Sequence, residues 1–273
     1  LETRPFRPWN RFVNIQLLLE IAMPPAEKPQ RNKEYTENTL FNGALLCRQH
    51  AEGYRFSVDS VLLAHFIDVK SGFSVFDLGS GCGVLPLILL YRNRDITCSG
   101  IELQPDLHHL ATGNIAAAGF NDRGTIFNGD LRDIAHFAEA ESVDRVVSNP
   151  PFYPPGQGRA SGGQEEEFAR RQQNGGLAEF LAAARYLLKN RGSAAFIYPA
   201  EQGADFIVTA REGGMEVKRL RHVHSYPGGP AKLTLFSCMK NGRSELKVLP
   251  PLYVYEYKGG PRSEEVKTFY RRN

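Results

Sequence analysis

Phe76-Asp77-Leu78-Gly79-Ser80-Gly81-Cys82-Gly83 is the stretch that decides the reading of this chain. It begins inside SVFDL (74–78), a short apolar run that predicts a buried strand. It ends at VLPLILLYR (84–92), which predicts a helix. Between them an acid is followed by three glycines at alternate positions, D-x-G-x-G-x-G. Glycine is needed where the backbone turns at positive φ, or where a ligand must approach without meeting a Cβ. A plain strand-to-helix turn also uses glycine, so the surroundings decide.

Downstream the same rhythm continues. ITCSGIEL (96–103) predicts a strand and PDLHHLATGNIAAAG (105–119) a helix with proline near its start. GTIFNGD (124–130) and SVDRVVSNP (142–150) predict two strands, and GLAEFLAAARYLLKN (176–190) an amphipathic helix. GSAAFIYP (192–199) predicts a strand and ADFIVTAREGG (204–214) a helix stopped by glycine. MEVKRLRHVH (215–224) and AKLTLFSCMK (231–240) predict two late strands. This order implies an α/β fold: a doubly wound, seven-stranded, mostly parallel sheet of Rossmann-like type with an antiparallel end.

Upstream, TLFNGALLCRQ followed by GYRF predicts a β-hairpin, and Ser57 to Ser60 predicts a cap for the helix VLLAHFI. The expected organisation is an irregular arm (1–35), a hairpin-helix lead-in (36–70), the main domain (71–250) and a basic tail (251–273). Pro154 to Gly176 is too long for an ordinary connection and predicts a binding loop or lid.

Two further acids stand at strand ends. Glu102 lies 21 residues beyond Gly81, where Rossmann-like sites place a carboxylate that accepts from ribose hydroxyls. Asp130 ends the next strand, placed to accept from an adenine amine while Leu131 packs on the ring. Each acid alone reads as a surface or capping residue. Three at the carboxyl ends of successive strands point into the crevice where open α/β sheets bind ligands.

SVDRVVS then runs into Asn149-Pro150-Pro151-Phe152-Tyr153. Asn-Pro is a common loop breaker, and two prolines stiffen the turn. After a nucleotide-type loop the residue types suit chemistry on a conjugated amine, whose lone pair is a poor nucleophile. The Asn149 side-chain oxygen and the Pro150 carbonyl can each accept one N–H, holding the amine and stabilising positive charge as it develops. Positioning supplies the remainder. Phe152 offers a face for base stacking, worth ~1–3 kcal/mol.

As a set, Asp77 to Gly83, Glu102 and Asp130 resemble class I S-adenosylmethionine methyltransferases over roughly residues 54–240. The third glycine falls one residue early for the dinucleotide fingerprint G-x-G-x-x-G. NPPFY resembles the bacterial tRNA(Val) adenine-N6 methyltransferase family, near the small-domain ribosomal RNA methyltransferases. Gln49, Gly53-Tyr54-Arg55-Phe56-Ser57, Asp59-Ser60 and Leu62-Leu63 are similar to the lead-in of that branch. The resemblance implies a cofactor site of Tyr54, Arg55, Phe56, Asp59, Asp77, Gly79, Gly81, Gly83, Glu102, Leu103, Asp130, Leu131 and Asn149. It implies Asn149, Pro150 and Phe152 as catalytic, with Pro151, Phe152 and Tyr153 against the substrate, and a monomer. Its reaction would convert S-adenosylmethionine to S-adenosylhomocysteine with methylation of adenine N6 in RNA, tRNA first. Arg159, Arg170 and Arg171 in the long loop, KRLRHVH (218–224) and the tail cations could contact phosphates. The plainer reading of those cations is a solvated face and a frayed end.

Release-factor-type glutamine-N5 methyltransferases share the NPPY motif but carry a helical N-terminal domain, against the hairpin expected here. A ribosomal RNA base is the other substrate within the branch. A Rossmann dehydrogenase is disfavoured by the glycine spacing, and a non-catalytic RNA-binding relic by the intact Asn149. Across the 273 residues, 33 Lys+Arg against 30 Asp+Glu give +3, too balanced to argue for nucleic acid on charge alone. The longest apolar run, Val84 to Tyr91, is too short to cross a bilayer. The Arg- and Pro-rich start has no apolar signal-peptide core. Cys47, Cys82, Cys98 and Cys238 are dispersed, with no C-x-x-C and no H-x-x-x-H, so no metal is expected and a reducing cytoplasm fits.

Overall fold

The computed structural model describes residues 35–51, 58–151 and 176–271. Strands β1 (Tyr35–Leu40) and β2 (Leu45–His50) form a separate antiparallel hairpin, in register from Tyr35 opposite His50 to Leu40 opposite Leu45. The sequence pattern joins TLFNGALLCRQ to GYRF across a later turn. TLFNGALLCRQ itself contains a hairpin turn at Asn42-Gly43, with Phe41, Asn42 and Gly43 all at positive φ, and β1 starts five residues before Leu40, while GYRF lies outside the described residues.

The main sheet follows the predicted alternation. It contains β3 (Ser74–Leu78), β4 (Thr97–Glu102), β5 (Gly124–Asn128), β6 (Val143–Ser148), β7 (Leu188–Pro199), β8 (Met215–His224) and β9 (Ala231–Lys240). Two-residue strands β10 (Lys247–Val248) and β11 (Leu252–Tyr253) lie parallel to β8 and widen the seven expected strands to nine. The order is β10-β8-β9-β7-β6-β3-β4-β5. It is parallel from β5 to β7, and β9 is antiparallel to both β7 and β8. The chain goes from β3 out to β4 and β5, then returns to place β6 on the other side of β3. That reversal opens a crevice at the carboxyl ends of β3, β4 and β6.

Helices cover both faces. On one lie α1 (Val58–Phe66), α2 (Val84–Arg92) and α3 (Pro105–Ala117). Every residue of α2 from Val84 to Leu90 is buried, which explains its lack of a polar stripe. On the other lie α4 (Leu177–Leu187) and α5 (Gly203–Glu212), over Phe76, Phe196 and Phe236. Phe206 stacks on Phe236 with centroids 4.0 Å apart. Each such fully buried side chain contributes about 1.5–3 kcal/mol over its exposed state.

Residues 252–271 are docked rather than frayed. A short helix, α6 (Glu264–Thr268), is capped by the Ser263 hydroxyl, and its Val266 is fully buried in the α1–α3 core. Glu265 receives both Nη atoms of Arg221, at 2.6 and 2.8 Å. No helix among the described residues is long and apolar enough to cross a membrane.

Candidate active site

The crevice is a cavity of about 500 Å³. Its floor is set by hydrogen bonds between strand ends. Gly79 and Ser80 N–H both donate to the Ile101 carbonyl at 3.0 Å, and Gly129 N–H donates to the Glu102 carbonyl at 3.0 Å. The Ser148 hydroxyl donates to the Leu78 carbonyl at 2.7 Å, fixing the end of β6 beside the glycine turn. Asn149 therefore emerges next to Gly79.

Of the residues expected at a cofactor, Gly79, Gly81, Glu102, Leu103, Asp130, Leu131 and Asn149 line this cavity, as does Pro151. Gly79 and Gly81 both have positive φ, and a Cβ on Gly79 would come within 3.3 Å of the Phe180 ring. Glu102 Oε2 accepts the Gly81 N–H at 2.8 Å and Oε1 the Gln104 N–H at 2.9 Å. Burial raises its pKa, and these main-chain donors pull it partly back. Each oxygen keeps a second lone pair for another donor.

Asp130 caps the 3₁₀ turn 131–136, and its carboxylate is forked by the Arg132 guanidinium at 2.9 Å. That contact holds its pKa below the usual carboxylate range. Asp77 is different. It is fully buried, and neither carboxylate oxygen has a hydrogen-bond partner among the described residues. Burial pushes its pKa up to about 7, with the nearby Ser80 hydroxyl opposing and the Glu102 charge adding to the rise.

Three expected residues do not line the cavity. Asp77 lies in the strand beneath it. Gly83 faces α3, where an added Cβ would stand 3.0 Å from the Ala111 Cβ. Asp59 sits in the first turn of α1, where its charge adds slightly to the rise that burial gives the Tyr270 pKa. Pro150 is buried directly after β6 and is not a lining residue either. Tyr54, Arg55, Phe56, Phe152, Tyr153, Arg159, Arg170 and Arg171 lie outside the described residues.

Sequence reasoning misses Ile101, Gln104, Leu107, Gly129 and Phe180, all on the cavity wall. Gly129 carries a signal: a glycine at a strand end marks close approach, and a Cβ there would overlap the Phe137 ring. Phe180 carries none, since it occupies an ordinary apolar position of α4. The basic run 218–224 is committed internally. Lys218 bonds the Arg243 carbonyl, Arg219 lies 5.5 Å over the Phe66 ring, and Arg221 holds Glu265.

A buried carboxylate beneath a glycine-lined turn, with a second carboxylate across the opening, suits a small polar and partly cationic molecule with hydroxyl groups. The methyltransferase small-domain family matches residues 55–219, more than half of the chain. This protein belongs to that family. The methyltransferase uses S-adenosylmethionine as its methyl donor, and the residues around the cavity fit that molecule.

Its relatives include the tRNA1(Val) (adenine(37)-N6)-methyltransferase of Flavobacterium johnsoniae. That protein is 28% identical over 202 residues, covering 74% of this chain and 85% of the relative. The enzyme of the same name from Dyadobacter fermentans is 27% identical over 240 residues, covering 82% and 93%. Among solved structures, a predicted O-methyltransferase from Agrobacterium tumefaciens superposes with a TM-score of 0.63. It is 19% identical and covers 79% of this chain and 99% of its own, a likeness of fold alone.

Proposed function

We propose that this methyltransferase methylates the exocyclic N6 of an adenine in tRNA. The observation that carries the reading is Asn149, which lines the same cavity as Gly79 and Gly81 at the end of β6. The names of the Flavobacterium and Dyadobacter relatives support the substrate. The β1–β2 hairpin stands against the glutamine-N5 alternative, whose enzymes carry a helical domain there.

S-adenosylmethionine supplies an electrophilic methyl group on a sulfonium. Gly79 and Gly81 leave room for its amino-acid part, and the Asp77 carboxylate below offsets its positive charge. Glu102 would hold the ribose hydroxyls with its spare lone pairs. Leu131 would face the adenine, and Asp130 would accept from the adenine amine beside its Arg132 contact. Asn149 Oδ1 and the Pro150 carbonyl accept the two N–H groups of the target amine. That fixes the nitrogen and favours its pyramidal form with the lone pair directed into the cavity. No strong base is required, because the proton is far more acidic once the nitrogen is cationic. Phe152, outside the described residues, has the residue type to stack the target base. Substrate tRNA and free buried cysteines both suit the cytoplasm.

The test uses purified protein, labelled S-adenosylmethionine and tRNA from cells lacking the gene, read by nucleoside mass spectrometry. N6-methyladenosine in tRNA is expected. Label in release factor or ribosomal RNA, with none in tRNA, overturns the reading.

A further inference from the structure

At the other end of α2, away from the glycine turn, a second cavity of about 490 Å³ opens between Arg92, Arg94, Arg123 and Arg271. Its aromatic walls are Phe120 and the Phe41–Tyr91 pair, stacked with centroids 4.6 Å apart. No aspartate or glutamate is among the described lining residues. Arg92 donates to the Ala64 carbonyl at 2.6 Å, and Arg123 donates to the Asn93 carbonyl at 3.0 Å while lying 5.2 Å over the Phe120 ring. These bonds hold the guanidiniums in place without neutralising them. Among the described residues Arg271 has only a loose contact with Glu264, at 3.7 Å, and Arg123 one with Asp122, at 3.9 Å. The Tyr91 hydroxyl is buried with no hydrogen-bond partner among the described residues.

Clustered, weakly compensated guanidiniums beside flat rings match one ligand chemistry: an anion attached to a planar aromatic group. We propose that this cavity binds a nucleoside-phosphate unit, with the phosphate at Arg94 and Arg271 and the base against the aromatic wall. On the function proposed above, the unit is a nucleotide of the substrate RNA distant from the methylated adenine. A nine-residue helix is about 13 Å long. The cavity is thus too far from Asn149 for the reacting nucleotide and within reach of one several positions along. A free nucleotide has the same chemistry, and the experiment separates the two sources.

Binding of a tRNA transcript is measured by fluorescence anisotropy across a potassium chloride series, and binding of AMP by calorimetry. The wild-type protein is compared with the double variant Arg94→Glu/Arg271→Glu and with Phe120→Leu, which leaves the charge unchanged. Both arginines end at the surface, so folding is expected to survive, and unaltered S-adenosylmethionine affinity verifies it. The double variant is expected to bind tRNA at least tenfold more weakly. Its log K against log salt should be shallower by about one, since each lost phosphate contact removes about 0.7–0.9. Phe120→Leu should weaken tRNA about threefold or more with the slope intact. Loss of AMP binding in both variants with tRNA unaffected supports the site and assigns it to a free nucleotide. Unchanged tRNA affinity and slope together with no AMP binding to the wild type overturn the proposal. So does a loss confined to the charge variant, because bulk charge would explain it. If wild-type protein fails to methylate tRNA, the function proposed above fails, and the binding data still judge the cavity.

Discussion

Glu102 at the end of β4 grips the tip of the glycine turn through Gly81, oxygen to nitrogen at 2.8 Å. Its other oxygen holds the Gln104 N–H at 2.9 Å, so both halves of the carboxylate accept main-chain donors. In Glu102→Gln one acceptor becomes an NH₂ facing an N–H. A hydrogen bond to a charged group contributes about 1.5–3 kcal/mol. Calorimetry should therefore show S-adenosylmethionine affinity falling roughly ten- to hundredfold. Undiminished affinity would mean that the turn holds its shape without this tie.

The Asp77 carboxyl has the opposite environment: buried, with no described hydrogen-bond partner and a pKa of about 7. The unfolded chain loses this proton near pH 3.9. The folded state holds it up to about pH 7, so this group's contribution to stability is complete below pH 3.9 and is lost progressively between there and about pH 7. At one pKa unit per 1.36 kcal/mol the loss has an upper limit of about 4 kcal/mol. Asp77→Asn should thus melt higher than wild type at pH 8, by a margin that shrinks at pH 5. It should also bind S-adenosylmethionine more weakly, because the buried charge that offsets the cation is gone. Thermal melts at both pH values, with and without the donor, check both signs. A variant less stable at pH 8 would show that the carboxylate is structurally satisfied after all.

For Asn149→Ala, single-turnover methylation of tRNA should slow by about 10²–10³, the usual effect of deleting one preorganised transition-state contact. Donor affinity should change by no more than a few-fold. Equal losses in both would make Asn149 a wall of the donor site and remove its role at the amine.

How far the sequence reveals this protein depends on the range of the interactions involved. SVFDL and VLPLILLYR begin and end where they read, because β3 from Val75 and α2 as far as Leu90 are buried and their patterns are local. Glu102 is legible because a parallel sheet puts successive strand ends side by side. Phe180 is not, since nothing near it in the chain signals that α4 folds back over Gly79. Nor is Arg132 as the partner of Asp130, for its side chain could equally have pointed to solvent. The hairpin differs for another reason. Asn42-Gly43 is a strong turn signal inside TLFNGALLCRQ, and its left-handed backbone outweighs the apolar run on either side. Strands β10 and β11 are two residues each, too short for any periodicity to register.

Gly83 separates packing from ligand contact. The motif suggests a cofactor residue, yet its φ of 81° and the 3.0 Å between an added Cβ and that of Ala111 describe a close approach of α2 to α3. Gly83→Ala should cost about 1–2 kcal/mol for the left-handed backbone and a further ~1–3 kcal/mol for overpacking. Ala111→Gly alone removes the obstructing methyl but loses about 1 kcal/mol of helix propensity. Combining the two should relieve the methyl's share of the clash and leave the backbone part, together with the contact to the Ala111 Cα, which an added Cβ would meet at 3.1 Å. Denaturant melts of the four proteins should therefore show favourable coupling between the substitutions, with the double variant still less stable than wild type. Donor affinity, measured cold where all four are folded, should stay within a few-fold of wild type. An affinity lost in Gly83→Ala and not recovered by Ala111→Gly would return Gly83 to the cofactor site.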